Sequence, residues 1–150
     1  MKKNNGRFFV MIAVVIISFL YFRNKQMIPP DSNPEIELIS VDYKKDGVYD
    51  TLDLSKNEIS KDLNDRLVLI LKHVKIRNKL LPAAESYTVS DGDTHITIKV
   101  SLENSSLFVN LLNDSQFSSA QYHDRYYHIV NSENVYNEIY RLLAKDRCGF

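Results

Sequence analysis

The feature that most constrains this chain is an apolar run without a single charge, FFVMIAVVIISFLYF, at residues 8–22. The segment MKKNNGR precedes it, and a positively charged segment before an apolar run is typical of an export signal. As a helix the run is about 22 Å long at 1.5 Å per residue, whereas the hydrocarbon core of a bilayer is roughly 30 Å thick. The run therefore predicts membrane insertion, and its flanks must cover the difference in length.

The flanks of the run favour an anchor that is not cleaved. Arg7, Arg23 and Lys25 can extend their charged ends to the headgroups, while Tyr21 and Phe22 suit the membrane interface. No small-residue cleavage motif follows the run, and no cysteine near it could accept a lipid. We therefore predict a transmembrane signal-anchor, with a cleaved export signal and a buried core helix as the alternatives.

The charges on the two sides of the run predict its orientation. Lys2, Lys3 and Arg7 stand before it, and Arg23 and Lys25 stand after it. The excess of cations on the N-terminal side, to which the amino terminus adds, predicts that this side stays in the cytoplasm. Since no second apolar run is long enough to span a bilayer, the rest of the chain is expected outside the cytoplasm, in a single-pass protein of the cell membrane.

A proline-bearing segment, QMIPPDSNP, follows the apolar run. Proline lacks a backbone donor and resists helix formation, so this segment predicts a semi-rigid stalk. The remaining length suits one domain with its own core. The predicted organisation is a cytoplasmic n-region at 1–7, the signal-anchor at 8–22, the stalk at 23–34, an extracytoplasmic domain at 35–146 and a tail at 147–150.

The first half of the domain reads as a hairpin followed by a helix. EIELISVDY (35–43) and VYDTLDL (48–54) are β-rich, and Asp46-Gly47 between them suits a tight turn. Ser55 and Glu58 then match the S-x-x-E capping box. Apolar residues recur after it at helical spacing, namely Ile59, Leu63, Leu67, Ile70, Leu71 and Val74. The pattern predicts a helix that begins after Ser55 and ends near Lys75.

The second half reads as a connector, further strands and a last helix. KIRNKLLPAAESY (75–87) is predicted as the connector because of its proline. The predicted strands are THITIKV (94–100), SLFVNLL (106–112), FSSAQY (117–122) and RYYHIV (125–130), with His123-Asp124 as a turn. Asn131 or Ser132 can cap a final helix. The predicted class is α+β, an antiparallel sheet packed against two helices in the order ββαβββα.

Composition and motifs exclude several functions. Three of the 19 Lys and Arg precede the apolar run, which leaves 16 against 19 Asp and Glu. A mildly acidic body neutralises few phosphates, so we expect no nucleic-acid partner. With only 4 glycines and no clustered pair, phosphate-binding loops are absent from the sequence. No sequence motif indicates a cofactor.

The segment QYHDRYYH, residues 121–128, holds two of the chain's 4 histidines. His123 and His128 are five residues apart and would face opposite sides of a continuous strand, so they do not predict a metal site. Tyrosine offers a large contact area with a polar end, which suits recognition as well as packing. We predict that this stretch forms a protein-binding surface, made of Tyr122, His123, Asp124, Arg125, Tyr126, Tyr127 and His128.

The chain also resembles a known group of proteins. Its anchor, short stalk, ββαβββα order and the ending YYHIVNSENVYNEIYRLL (126–143) are similar to those of small, uncharacterised bacterial extracytoplasmic proteins with a lipoprotein or membrane-anchor leader. The resemblance covers about residues 35–145 and rests on pattern. It implies a location and an architecture, and it carries over no catalytic residue.

Three functions follow from these patterns. The first is a non-enzymatic, membrane-anchored module that binds another envelope protein, as an accessory, inhibitor or immunity-type factor would. The second is a small envelope hydrolase in which Asp91, Asp93 or Asp124 acts with His95 or His123. The third is a structural spacer, dimeric through Cys148, the one cysteine of the chain.

Overall fold

The computed structural model describes residues 4–79, 90–113 and 118–146, with backbone alone for 4–7 and 146. The helices are α1 (Asn4–Phe22), α2 (Lys61–His73) and α3 (Ser132–Asp146). The strands are β1 (Lys25–Gln26), β2 (Glu35–Lys45), β3 (Val48–Ser55), β4 (Lys75–Asn78), β5 (Thr94–Leu102), β6 (Ser105–Leu112), β7 (Ser119–Tyr122) and β8 (Arg125–Ile129). The predicted tail at 147–150 with Cys148, and most of the connector after residue 79, lie outside the described residues.

The strands form one antiparallel sheet in the order β1-β4-β8-β7-β6-β5-β2-β3. Alternate residues of β5, for example Ile96, Ile98 and Val100, are fully buried and belong to one core with Leu67 of α2 and Ile139 of α3. The two helices therefore cover one face of the sheet, which we call the covered face. The other, the open face, carries the alternate side chains of the same strands. The predicted α+β class and antiparallel sheet are confirmed.

The sheet has eight strands, whereas the pattern ββαβββα has five and the individually predicted segments number six; the two strands without a predicted segment are β1 and β4. Lys75–Asn78, predicted as part of a connector, is β4 and pairs with β8, while β1 pairs with β4. A four-residue strand with Ile76 as its one apolar side chain has no period-2 signal. Its pairing depends on the chain crossing the covered face through α2, which local sequence does not reveal.

The segment predicted as a stalk joins the domain instead. The backbone N–H of Met27 donates to the carbonyl oxygen of Val74 at 2.9 Å. Met27 and Ile28 lie in the hydrophobic core, with exposed fractions of 5% and 0%. Only Arg23 and Asn24 separate α1 from β1. The domain therefore begins directly after α1, because Met27 and Ile28, two apolar residues in a polar segment, are buried in the core.

The start of α2 differs from the prediction. Ser60 is its N-cap, and its hydroxyl oxygen accepts from the N–H of Leu63 at 3.1 Å. Ser55 instead donates from its backbone N–H and hydroxyl to Glu58 Oε2, which closes a turn after β3. The S-x-x-E pair thus forms its hydrogen bonds without starting a helix.

Two predicted hairpin turns are present. Asp46 and Gly47 have φ angles of +53° and +78°, and His123 has +52°. Glycine adopts this left-handed region without steric cost, and aspartate tolerates it better than most residues do. These turns fix the registers of β2 against β3 and of β7 against β8.

α1 is helical over the whole predicted anchor and starts four residues before it. Within the described residues, no helix combines the length and the apolarity that crossing a bilayer requires. The structure thus gives α1 as a helix but does not show it as a transmembrane span.

Candidate functional site

The predicted surface at Tyr122 to His128 is the β7–β8 hairpin, and the sheet divides its residues. Tyr122 and Tyr127 point to the covered face and pack against the core. The hydroxyl of Ser105 donates to the Tyr122 hydroxyl oxygen at 2.9 Å. These two tyrosines therefore support packing within the domain.

Tyr126 and His128 lie on the open face of β8. Tyr126 is 38% exposed, whereas His128 is half-buried between β4 and β7. Burial lowers the pKa of His128 below its usual 6.5, and the positive charges of Arg77 and Lys79 lower it further. This histidine is therefore held toward its neutral form by a basic edge of the sheet.

The turn itself carries the other three predicted residues. His123, Asp124 and Arg125 are exposed, and the His123 ring meets the Tyr122 ring edge-on at 4.5 Å between centroids. The seven residues thus divide among the covered face, the open face and the sheet end.

A groove of about 710 Å³ separates this turn from the end of α1. It is lined by Ile17, Leu20, Tyr21, Lys25, Asn78, Lys79, Asp124, Arg125, Tyr126 and Tyr127. The side-chain amide of Asn78 donates to the carbonyl oxygen of Tyr21 at 2.6 Å, which joins α1 to β4 beside the groove. Sequence reasoning missed this site because its two walls are brought together by the pairing of β1 with β4.

A chain of polar contacts crosses the open face. The Thr51 hydroxyl donates to Asp42 Oδ1 at 2.8 Å, and Asp42 Oδ2 lies 3.6 Å from His95 Nδ1. On the other side of the ring, His95 Nε2 is 3.3 Å from the Thr97 hydroxyl oxygen, which donates to Asn110 Oδ1 at 3.2 Å. A hydroxyl, an imidazole and a carboxylate are therefore in line on β5 and β2.

A second row on the open face contains the aromatic side chains of Phe108 and Tyr126. Cross-strand pairing aligns Lys99, Phe108, Gln121 and Tyr126 across β5 to β8. The Lys99 ammonium lies 6.0 Å from the Phe108 ring centroid and pairs with the Glu37 carboxylate. A hydrogen bond from Lys99 is the main cause that lowers the pKa of Glu37, and its charge adds to this. Alternation within β6 could have revealed Phe108 as an apolar residue on the open face.

The candidate acid and base residues of the predicted hydrolase lie in two groups at opposite ends of β6, with Asp91, Asp93 and His95 in one and His123 and Asp124 in the other. Asp91 Oδ1 accepts from the Gly47 N–H at 3.0 Å, and Asp93 Oδ2 accepts from the Ser90 N–H at 2.9 Å. His95 pairs with Leu112 at one end of β6, whereas the His123-Asp124 turn lies at the other. A strand of that length separates the ends by about 25 Å. No group of metal-binding side chains occurs among the residues that the structure describes.

Comparisons of the chain with protein-family models, with curated proteins and with solved structures found no match.

Proposed function

We propose that the protein is a single-pass membrane protein whose domain lies outside the cytoplasm and binds another protein of the cell envelope. The observation that carries the anchoring is the exposure of α1. Every residue from 8 to 22 is exposed, with large apolar side chains between 38% for Phe22 and 72% for Phe19. A helix that is apolar on all sides is unfavourable in water and suits a hydrocarbon environment.

The charges around α1 support its proposed depth and orientation. Its apolar part is short for a bilayer, so Arg7, Arg23 and Lys25 extend to the headgroups and the bilayer thins locally. Aromatic Tyr21 and Phe22 then lie at the outer interface. Three cations and the amino terminus before the run keep the N-terminus in the cytoplasm.

The open face supports the binding proposal. Phe108 and Tyr126 lie on it among polar side chains, and Tyr126 also borders the groove that faces α1. Aromatic side chains within a polar surround are typical of the residues that dominate the energy of protein interfaces. The row that contains half-buried Phe108 and exposed Tyr126 is therefore the best candidate contact surface for a partner.

Crosslinking followed by affinity purification of the tagged full chain from its own membranes tests the binding proposal. We expect one partner in near-stoichiometric yield, and we expect Phe108→Ala with Tyr126→Ala to reduce that yield at least tenfold. Tyr49→Ala is the matched control, because Tyr49 is an exposed aromatic residue on the far hairpin. Recovery of background proteins alone, or an equal loss from the control, would reject the proposed surface.

The Thr97–His95–Asp42 alignment favours a hydrolase as the second candidate function. The His95 imidazole lies between the Thr97 hydroxyl and the Asp42 carboxylate, and activation requires that hydroxyl to turn its proton from Asn110 Oδ1 to His95 Nε2. A fluorophosphonate probe, which reacts with activated hydroxyls, tests it on the full chain. Labelling of Thr97 that disappears in His95→Gln would support the hydrolase, and an unlabelled Thr97 leaves the binding function.

A further inference from the structure

The groove between α1 and the β7–β8 turn has two chemically different walls. On the α1 side it is lined by Ile17 and Leu20, and on the domain side by the cations Lys25, Lys79 and Arg125. An apolar wall that meets a cationic wall matches a molecule with an acyl chain and an anionic group. We propose that this groove binds one membrane phospholipid through its anionic headgroup. The inference rests on the proposed anchoring by α1.

The groove runs along α1 from the depth of the acyl chains to the depth of the headgroups. Ile17 is five residues before the end of the helix at Phe22, a rise of about 7.5 Å. With residues 8–22 in the hydrocarbon core, Ile17 and Leu20 lie beside the acyl chains. Lys25, just beyond the end of α1, lies in the polar layer with the lipid phosphates.

The groove is built by rigid elements of the fold. The Asn78 side chain holds the last turn of α1, and the backbone of β1 pairs with β4 immediately after it. Lys25 lies on β1, Lys79 follows β4, and Arg125 begins β8. The three cations thus have fixed backbones on one sheet edge, so that binding a lipid orders only their side chains.

The charges of the groove are not balanced within it. Three cations face one carboxylate, that of Asp124. In the described part of the chain, none of these cations forms an ion pair. The lowered pKa of His128, to which Arg77 and Lys79 contribute, indicates that the positive field extends along the same edge. A phosphate in the groove would supply the missing negative charge.

Lipid binding to the full chain in a non-ionic detergent tests the proposal. The probes are phosphatidylglycerol, phosphatidylcholine and free glycerol phosphate, each titrated while bound lipid is counted by native mass spectrometry. We expect one phosphatidylglycerol to bind at least tenfold more tightly than phosphatidylcholine. Glycerol phosphate should bind more weakly than the lipid because it lacks acyl chains for Ile17 and Leu20. Equal affinity for the two lipids, or tighter binding of glycerol phosphate, would overturn the proposal.

Charge variants locate the site. Each cation near a membrane surface contributes about fivefold in affinity, so Lys79→Gln with Arg125→Gln should weaken phosphatidylglycerol binding about 25-fold. Lys44→Gln with Lys45→Gln removes the same charge from the opposite edge of the sheet and should leave it unchanged. Equal effects of the two pairs would reject the groove.

Fractionation separates this inference from the proposed anchoring. If the wild-type chain stays with membranes while binding neither lipid selectively, the lipid site fails and the anchor stands. If the wild-type chain is not in the membrane fraction at all, the anchoring fails, and the lipid site fails with it.

Discussion

His128 has a protonation equilibrium that its burial, and then two neighbouring cations, displace. Its pKa is below 6.5 because of burial and because of the nearby Arg77 and Lys79. A histidine with a lowered folded-state pKa keeps its full contribution to stability above pH 6.5. This contribution is lost as the pH falls from about 6.5 through the folded-state value, since the unfolded chain binds the proton more readily.

Replacing Arg77 with glutamine should raise the pKa of His128 toward 6.5, because one of the two cations that disfavour its protonation is removed. The loss of unfolding free energy between pH 7.5 and pH 5 should shrink accordingly. An NMR titration of the His128 ring measures the pKa. Arg66→Gln, on α2, is the control and should leave it unchanged. A His128 pKa that falls in Arg77→Gln would contradict the assigned cause.

At the scale of residues, Ser55 and Ser60 are the two candidates for the N-cap of α2. Ser60→Ala removes the acceptor for the Leu63 N–H and should cost about 1 kcal/mol of unfolding free energy. Ser55→Ala removes an exposed hydroxyl from a turn and should cost about 0.5 kcal/mol or less. Urea unfolding of the full chain in mild detergent measures both. A larger loss of unfolding free energy for Ser55→Ala than for Ser60→Ala would indicate that Ser55 is the helix cap, as the capping box predicts.

At the scale of elements, β1 and the residues directly after it determine how the chain enters the domain. Ile28 is fully buried after β1, so Ile28→Ala should cost about 2–5 kcal/mol of unfolding free energy. Gln26→Ala, at an exposed position of β1, is the control and should change stability by about 0.5 kcal/mol at most. If Ile28→Ala were as mild as the control, residues 25–28 would behave as part of the predicted stalk.

Carboxylate side chains accept hydrogen bonds from two backbone N–H groups of the edge strand β3. Asp50 Oδ1 accepts from the Thr51 N–H at 2.9 Å, and Glu58 Oε2 accepts from the Ser55 N–H at 2.9 Å. Unpaired donors on an edge strand invite pairing with other chains. These two carboxylates therefore protect the edge of the sheet farthest from α1.

Asp50→Ala with Glu58→Ala should expose these donors and increase self-association, which light scattering in detergent measures as a higher mean mass. Asp31→Ala with Asp53→Ala removes the same charge without removing either bond, and it should leave the mass unchanged. Equal association in the two pairs would assign the effect to net charge.

The sequence predicts those elements in which apolar side chains recur with the period of a strand or a helix. β5 alternates strictly, so Ile96, Ile98 and Val100 could be assigned to the core before the structure was known. β4 and β1 carry no such pattern, because their pairing follows from the path of α2 across the sheet. The groove depends on that pairing and could not be predicted, whereas the division of the β7–β8 hairpin between two faces follows from strand alternation.

At the scale of the whole molecule, the direct connection from α1 into β1 restricts the orientation of the domain relative to a bilayer that contains α1. With α1 in a bilayer, the β1-β4-β8 edge rests at the membrane surface and β3 lies farthest from it. The domain would then be held at a fixed distance from the bilayer. A flexible stalk would allow neither the fixed distance nor the lipid groove.

The membrane position of the full chain is the most direct test of the account. Spheroplasts that carry the chain with a C-terminal tag are treated with external protease, and their membranes are then washed with alkaline carbonate. For an anchored chain with an external domain, we expect the tag to be removed from intact spheroplasts and the N-terminal fragment to stay in the washed membranes. A tag that is protected until lysis, or a chain that the wash releases, would contradict the proposed membrane position.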